Sequence, residues 1–490
     1  MELADTVAYP KTKMSFTRPR ITIGALRGGS GKTILSLGLI AAWREKGYRI
    51  APFKKGPDFI DAGWLSFAAG QSCHNLDPFL MNEEQILASF FSHSSQADLS
   101  VIEGNRGLYD TLDLDGLYST AELAKLLRSP VLIVLDVTMA TRTMAAVVTG
   151  CQLFDPDLNI SGVILNRVAG SRQETLIRKT IERYCATTVV GSVPKLKENI
   201  FPQRHMGLIP YQERDHAEKA ISWTKATVKE NLHLDEIWRI AHEAEGMDTS
   251  LQSQTPESTV TMSDESPRIG FIRDSSFWFY YPENMDQLTR LGAVLVEVNS
   301  ITEKELPDLD ALYIGGGFPE TQARALADNK RFRDSLKQQI ELGLPVYAEC
   351  GGFMYLGEGL LMDGKTYPMV GALPIKFILG ERPQAHGYTV LEVDRPNPYY
   401  PVGEVLKGHE FHYSRAVMTN EEDVNFVFKV SRGHGVDGQR DGLCKKNLLA
   451  TYTHIHAAGD PRWATSVFRA ALAHRQHEGN AFLGRVENRH

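Results

Sequence analysis

The 490-residue chain has no uninterrupted apolar stretch approaching the ~20 residues that a membrane-spanning helix needs. Cysteine is scarce: Cys73, Cys151, Cys185, Cys350 and Cys444 are odd in number, scattered, and nowhere in CxxC spacing. That excludes a disulfide framework or a zinc ribbon as the organising device and points to a reducing, cytoplasmic setting. Neither sign of charge dominates, with 53 Lys and Arg against 60 Asp and Glu and a net charge of −7. Nucleic acid and membrane are therefore not expected partners, while a local basic pocket for an acidic small molecule stays open. The first twenty residues, "MELADTVAYPKTKMSFTRPR", lack an apolar core and do not read as a secretory signal.

What is present is an ordinary globular composition, 42% apolar and 23% charged, in a chain too long for one hydrophobic core. The clearest internal boundary is Gly246 to Pro267, which holds nine Ser or Thr in 22 residues and four scattered apolar side chains. Such a stretch cannot bury enough surface to offset its ordering entropy and reads as a linker. The expected layout is a tail over 1–19, a first domain over 20–245, a linker over 246–267, a second domain over 268–475 and a tail over 476–490.

Short β-rich runs alternate with helical patterns along the first half. "RITIGAL", "YRIAPFK", "LSVIEG", "PVLIVLDV", "SGVILNRV" and "TVVGSVP" are strand candidates. The second half opens the same way with "RIGFIRD", "AVLVEVNS", "ALYIGGG" and "LPVYAEC", then adds "GYTVLEV" and "NFVFKV", which suggest antiparallel strands at one side. The expected fold is α/β, two doubly wound domains with mostly parallel sheets.

"RGGSGKT", Arg27 to Thr33, lies between a strand and a helix, the context a nucleotide loop requires. Gly28, Gly29, Ser30 and Gly31 would wrap backbone N–H groups around phosphate. Lys32 would reach the β- and γ-phosphates, and Thr33 would offer its hydroxyl to Mg²⁺. The usual first glycine is Leu26 here, so the stretch resembles the deviant Walker A loop, with Arg27 where that pattern has lysine. Such loops can reach across a dimer, which makes a homodimer one of the allowed assemblies. Glu103, ending "SVIEG", is placed for a carboxylate on or near Mg²⁺, and "PFKKGPDFID" ends another strand with Lys54, Lys55, Asp58 and Asp61. Singly, each would be a solvated strand-end charge; together they sit where ligands bind parallel sheets.

"LPVYAECGGFMYLGEG" puts Cys350 at a strand end ahead of two glycines and a helix. A sharp turn there would expose the sulfur and aim the helix N-terminus at it, with the Gly351 N–H ready for an oxyanion. "YIGGGFPE" would bring a second glycine N–H, that of Gly316, alongside. Candidate bases are His409 and His412 in "GHEFHYS" and His454 and His456 in "TYTHIHAAG"; the spacing of the first pair is three, not the four of HExxH, which disfavours zinc. The other four cysteines read as inert core residues.

With both halves in view the chain resembles the cobyrinic acid a,c-diamide synthase family from about residue 20 to 470. "GGSGKT", "APFKKGPDFIDAGW", "NLDPFL", "VIEGNRGLYD", "GVILNRV", "VVGSVPK" and "RHMGL" look like a dethiobiotin-synthetase-like P-loop domain. "FYYPEN", "ALYIGGGFPE", "AECGGFMYL", "GHEFHYS" and "TYTHIH" are similar to a class I glutamine amidotransferase of the cobyric-acid type. The resemblance implies that Cys350, with His454 as base, releases ammonia from glutamine, and that the ammonia passes by a protected route to a site using ATP and Mg²⁺. There a substrate carboxylate would be phosphorylated and the acyl phosphate converted to an amide, on the a and c acetates of a tetrapyrrole polycarboxylate. It further implies Asp58 and Glu103 as metal ligands, Asn166 at the adenine edge, Lys54 on the carboxylate or γ-phosphate, and Arg204 and His205 toward an anionic substrate.

The sequence departs from the family pattern in places. Gln203 stands where glutamate is usual, and Ala457 replaces the aromatic expected after "HIH". The wider class has a glutamate two residues beyond the catalytic histidine, a place held here by His456, so the group orienting His454 is not named by the motif. Cobyrinic acid is the first expectation for the ring, with siroheme or (metallo)sirohydrochlorin as the alternative. Two rivals from other classes are a dimeric switch ATPase with a non-catalytic amidotransferase domain and a non-catalytic tetrapyrrole carrier.

Overall fold

The computed structural model describes residues 14–196, 203–204, 207–208, 214–249, 266–420, 422 and 424–487. These fall into two compact units, Met1–Pro78 with Asn82–Pro256 and Phe79–Met81 with Glu257–His490.

In the first unit the six expected strands form, as Arg20–Ala25, Ile50–Lys55, Leu99–Glu103, Val131–Asp136, Ile160–Val168 and Thr188–Pro194, and pair in parallel. The short strand His74–Leu76 extends one edge of this seven-stranded sheet. Apolar runs rather than alternating patterns mark these strands because both faces are covered. In Val131–Asp136, for example, Leu132 and Val134 enter one core, while Val131, Ile133 and Leu135 enter the other. The order places Arg20–Ala25 in the sheet interior, with Leu99–Glu103 on one side and Val131–Asp136 on the other. The phosphate loop therefore rises between the ends of two neighbouring strands.

In the second unit Val294–Val298, Arg268–Ile272, Ala311–Ile314, Val346–Glu349 and Leu448–Thr451 run parallel in that spatial order. Arg440–Lys445, Asn425–Arg432, Ala385–Val393, Val405–His412 and His454–Ile455 continue the sheet antiparallel, so it is mixed at one side as the sequence indicates. Residues alternate along Val346–Glu349. Val346 and Ala348 pack into one core and Tyr347 into the other.

The layout read from composition needs correction at three places. Met14–Phe16, in the expected first tail, pairs antiparallel with Met247–Thr249 in the expected linker. Ladder hydrogen bonds come from the backbone and do not require apolar side chains. Helix Arg462–Glu487 runs through most of the expected final tail. The first part of that helix, 462–475, is rich in alanine and arginine, both good helix formers, and the tail continues it. Residues 250–265 of the expected linker lie outside the described residues.

Candidate active sites

The phosphate loop closes on helix Lys32–Glu45, whose N-cap Gly31 has φ 99°. Gly29 is also left-handed, with φ 72°, and the space beside Gly28 and Gly29 is open. The left-handed glycines and the helix start that follows are the backbone pattern that binds anions through orphan N–H groups. Ser30 Oγ donates to the Arg27 carbonyl at 3.0 Å and tightens the turn. Lys32 is buried, and its ammonium donates to the carbonyl of Arg106 at 2.6 Å. Burial and the nearby Lys54 hold Lys32 below the ordinary lysine range. Asn166 braces the loop: its Nδ2 donates to the Ser30 carbonyl at 2.8 Å and its Oδ1 accepts from the Arg167 N–H at 2.9 Å. A side chain expected at the adenine edge is thus engaged on the loop backbone itself. Arg27 is exposed and pairs with Asp136 at 3.0 Å, which Arg167 also reaches at 2.6 Å.

Behind the loop, two strand-end residues, Lys54 and Glu103, meet two residues from helix N-terminal turns, Thr33 and Asp61. Thr33 Oγ1 donates to Glu103 Oε1 at 2.8 Å, and Lys54 Nζ donates to the same oxygen at 2.7 Å and to Asp61 Oδ2 at 2.6 Å. Glu103 is fully buried, and its Oε2 has no hydrogen-bond partner among the described residues. Desolvation pushes the Glu103 carboxyl up despite Lys54. Lys54 is 1% exposed; burial disfavours its charge, but Asp61, Glu103 and Asp58 together raise it. The lysine expected to touch substrate is therefore the counter-ion of Glu103. Its strand, Ile50–Lys55, is buried along its length, so the side chain cannot reach solvent. Half-buried Asp58 accepts from the Asp61 N–H at 2.8 Å and caps helix Phe59–Ala69, its carboxyl pushed to about 7 by desolvation and by Asp61. His205 lies outside the described residues. So does the side chain of Arg204, whose backbone pairs with Gly207.

In the second unit Cys350 follows strand Val346–Glu349 and precedes helix Gly351–Leu356 at φ 47°, ψ −101°. A left-handed φ is uncommon for any residue with a Cβ and marks a strained turn. The turn is held by Cys350 N–H to the Thr451 carbonyl at 2.8 Å and by Gly352 N–H to the Gly315 carbonyl at 3.1 Å. The expectation of an exposed sulfur is not met: Cys350 is 3% exposed, in a pocket it lines together with Phe318, Met354 and Phe411. Its Sγ lies 3.4 Å from the Phe411 carbonyl. Burial pushes the thiol up, and Glu320, another wall of that pocket, adds to it. Burial likewise pushes Glu320 itself up to about 7.

The glycine loop lies beside the Cys350 turn, with Gly317 nearest Gly351 and Gly316 against the His454 ring. A Cβ on Gly351 would stand 2.9 Å from the Gly317 N, and one on Gly316 would overlap the Cε1–Nε2 edge of the His454 ring. His454 is buried, and its Nδ1 lies 3.2 Å from Glu349 Oε2. That carboxylate also accepts from Tyr313 OH at 2.9 Å and, through Oε1, from the Ile455 N–H at 3.1 Å. Sequence reading did not single out Glu349, although it stands in the quoted "AECGG" beside Cys350. His409 stacks on His454 with ring centroids 4.9 Å apart and receives or donates a bond at Tyr281 OH, 3.1 Å. Burial, then His454, drives His409 well below the ordinary histidine range.

The remaining motif residues are drawn to other partners. Burial raises the Glu410 carboxyl, but His412 and the N–H groups of Gly435 and His434 prevail and hold it low. His412 stacks on Tyr452 at 3.6 Å and bonds the Ser414 carbonyl through Nδ1 at 2.8 Å. His456 packs on the Tyr281 ring at 4.4 Å, with Nε2 3.6 Å from Glu283.

Comparison with known proteins agrees with this division of labour. Residues 21–209 match the family model described as the CobQ/CobB/MinD/ParA nucleotide binding domain, and residues 268–462 match the CobB/CobQ-like glutamine amidotransferase domain. The cobyrinate a,c-diamide synthase of Magnetococcus marinus is 40% identical over 463 residues, covering 93% of this chain and 98% of its own. That of Archaeoglobus fulgidus is 40% identical over 455 residues, with 93% and 98% coverage, and that of Listeria innocua 37% over 454 residues, with 92% and 99%.

Proposed function

Since the chain belongs to the cobyrinate a,c-diamide synthase family and is a glutamine-dependent ligase, we propose that it amidates the a and c acetates of cobyrinic acid, through an acyl phosphate. The observation carrying most weight is that the strained Cys350 turn and the phosphate loop are both intact in a chain alignable to these synthases over 93% of its length. Family membership supports this reading over the switch-ATPase and carrier alternatives.

In the amidotransferase unit the Cys350 thiolate attacks the side-chain carbonyl carbon of glutamine. The carbonyl electrons move onto oxygen, which the N–H groups of Gly351 and the Gly316–Gly317 loop stabilise. His454 takes the thiol proton and returns it to the departing nitrogen, so ammonia leaves as the C–N bond breaks. Water then attacks the thioester carbon, with His454 again as base, freeing glutamate and the thiol. In the nucleotide unit Lys32, Thr33 and the loop N–H groups hold the triphosphate of ATP while a ring carboxylate oxygen attacks the γ-phosphorus and ADP departs. Ammonia attacks the resulting acyl carbon and inorganic phosphate leaves.

The donor set suits Mg²⁺: Glu103 presents a buried oxygen with no hydrogen-bond partner among the described residues, beside the Thr33 hydroxyl and near Asp58, all hard oxygen ligands. A bound ion would offset charge developing on the phosphate oxygens. Lys54 holds Glu103 in place for this. Asn166 fixes the loop; Arg204 and His205 meet the anionic ring. A homodimer and cytoplasmic residence accompany this reading.

The test is mass spectrometry of cobyrinic acid, sirohydrochlorin and siroheme after incubation with Mg²⁺, ATP and glutamine. Two successive exchanges of hydroxyl for amino on cobyrinic acid alone are expected. Conversion of a sirohydrochlorin or siroheme instead would reassign the ring, and ATP hydrolysis without change to any ring would sink the reading.

A further inference from the structure

We propose that Glu349, the residue immediately before the nucleophile, is the positioning carboxylate of the glutaminase site, standing in for the glutamate that the amidotransferase class places two residues past its histidine. This rests on the reading of Cys350 and His454 as a glutaminase pair.

At the usual position this chain has His456, which cannot anchor an imidazolium by charge and which packs instead against Tyr281 and Glu283. Glu349 is 1% exposed and supplies what is missing. Its Oε2 lies 3.2 Å from His454 Nδ1, and its remaining capacity is taken by Tyr313 OH and the Ile455 N–H, so the carboxylate is held from three directions. A buried carboxylate held by several donors is fixed in orientation. The bond at Nδ1 fixes the tautomer with the proton there and leaves Nε2 as the basic atom. That Nε2 edge is the one lying against Gly316, on the loop whose next residue, Gly317, lines the Cys350 pocket.

Strand geometry explains how two adjacent residues serve one site from different sides. Tyr347 packs in the core that holds Tyr313 and Trp463, and Ala348 in the opposite one. By alternation Glu349 continues the Tyr347 face. Parallel pairing with Leu448–Thr451 matches Glu349 to Thr451, and the chain then needs only three more residues to bring His454 back beside it. The nucleophile and the group that orients its base are thereby fixed by the same strand end.

The test compares Glu349→Gln, Glu349→Asp and wild-type full-length protein in glutamine hydrolysis, in ammonium-supported synthesis, and in the pH profile of Cys350 alkylation by iodoacetamide. In the Gln variant glutaminase kcat should fall by about 10²- to 10⁴-fold with little change in KM, as when a triad carboxylate is neutralised. Ammonium-supported synthesis should hold, and the alkylation profile should move to higher pH because the imidazolium partner of the thiolate loses its counter-charge. The Asp variant, charged but shorter, should fall between. Unchanged glutaminase in the Gln variant overturns the inference. If that variant loses ammonium-supported synthesis or fails to fold, the Asp variant decides: reduced glutaminase with intact ammonium-supported synthesis supports positioning, and any other result overturns it. A wild-type protein without glutaminase would instead overturn the reading of Cys350 and His454 themselves.

Discussion

At the scale of single residues, strain and buried charge at the second site make separate demands. Cys350 has φ 47° with a Cβ attached, a conformation that costs about 1–3 kcal/mol unless the residue is glycine. Replacing the thiol in two ways measures this: Cys350→Gly should be more stable than Cys350→Ala by about 1 kcal/mol in urea unfolding, after glycine's own entropic penalty is subtracted. A turn that can relax freely would show the reverse order. Glu320 has a carboxyl pushed to about 7 by burial, in the pocket that Cys350 lines. As pH rises through that value its new negative charge opposes thiolate formation. Glu320→Gln should therefore speed alkylation of Cys350 several-fold at pH 8 and little at pH 6, read by the rate of iodoacetamide incorporation. Equal acceleration at both values would remove Glu320 as the source.

At the scale of elements, both sites are built where a loop closes on a strand end, and close approach by glycine sets the fit. Gly316 leaves no room for a side chain because its missing Cβ would overlap the His454 ring. Gly316→Ala should lower glutaminase turnover by about 10- to 100-fold while ammonium-supported synthesis is retained, since a small displacement of a catalytic group is enough. Asp441 anchors the strand Leu448–Thr451 and the segment after it, accepting from Thr451 Oγ1 at 2.7 Å and from the Tyr452 N–H at 3.1 Å. Burial pushes its carboxyl up to about 6. A carboxyl raised above its unfolded value favours the folded state most at low pH, where it is protonated in both states. This contribution declines as pH rises from roughly 4 to 6 and is then constant. Asp441→Asn should flatten that part of the stability–pH curve, measured by thermal unfolding; an unchanged slope would show that another group is responsible.

At the scale of the whole molecule, the two units divide the chemistry, and two substitutions should separate it. Cys350→Ala is expected to lose glutamine-supported synthesis by at least about 10³-fold and keep ammonium-supported synthesis. Lys32→Ala should lose synthesis with either nitrogen source and keep glutamine hydrolysis within a few-fold. Measuring all four activities on one preparation checks both; loss of every activity in either variant would contradict the division.

Most of this organisation was legible in the chain. The six strands of the first unit and the opening strands of the second follow from short apolar runs ended by glycine or charge, and those runs exist because parallel strands are covered on both faces. The phosphate loop and the Cys350 turn were legible too, because each is a local motif whose backbone demands glycine within a few positions. Tertiary structure alone decided which side chains those motifs meet. Lys54 and Glu103 are 49 positions apart, joined because sheet order makes their strands neighbours, and Glu349 and His454 are 105 apart, joined because the strand paired with that of Glu349 ends three residues before His454. Burial was decided there as well: Cys350 is followed by two glycines, yet its sulfur is buried and lies against the Phe411 carbonyl, 61 positions away. Local sequence sets backbone shape, while partnership across a sheet depends on the order in which strands assemble, which no short stretch encodes.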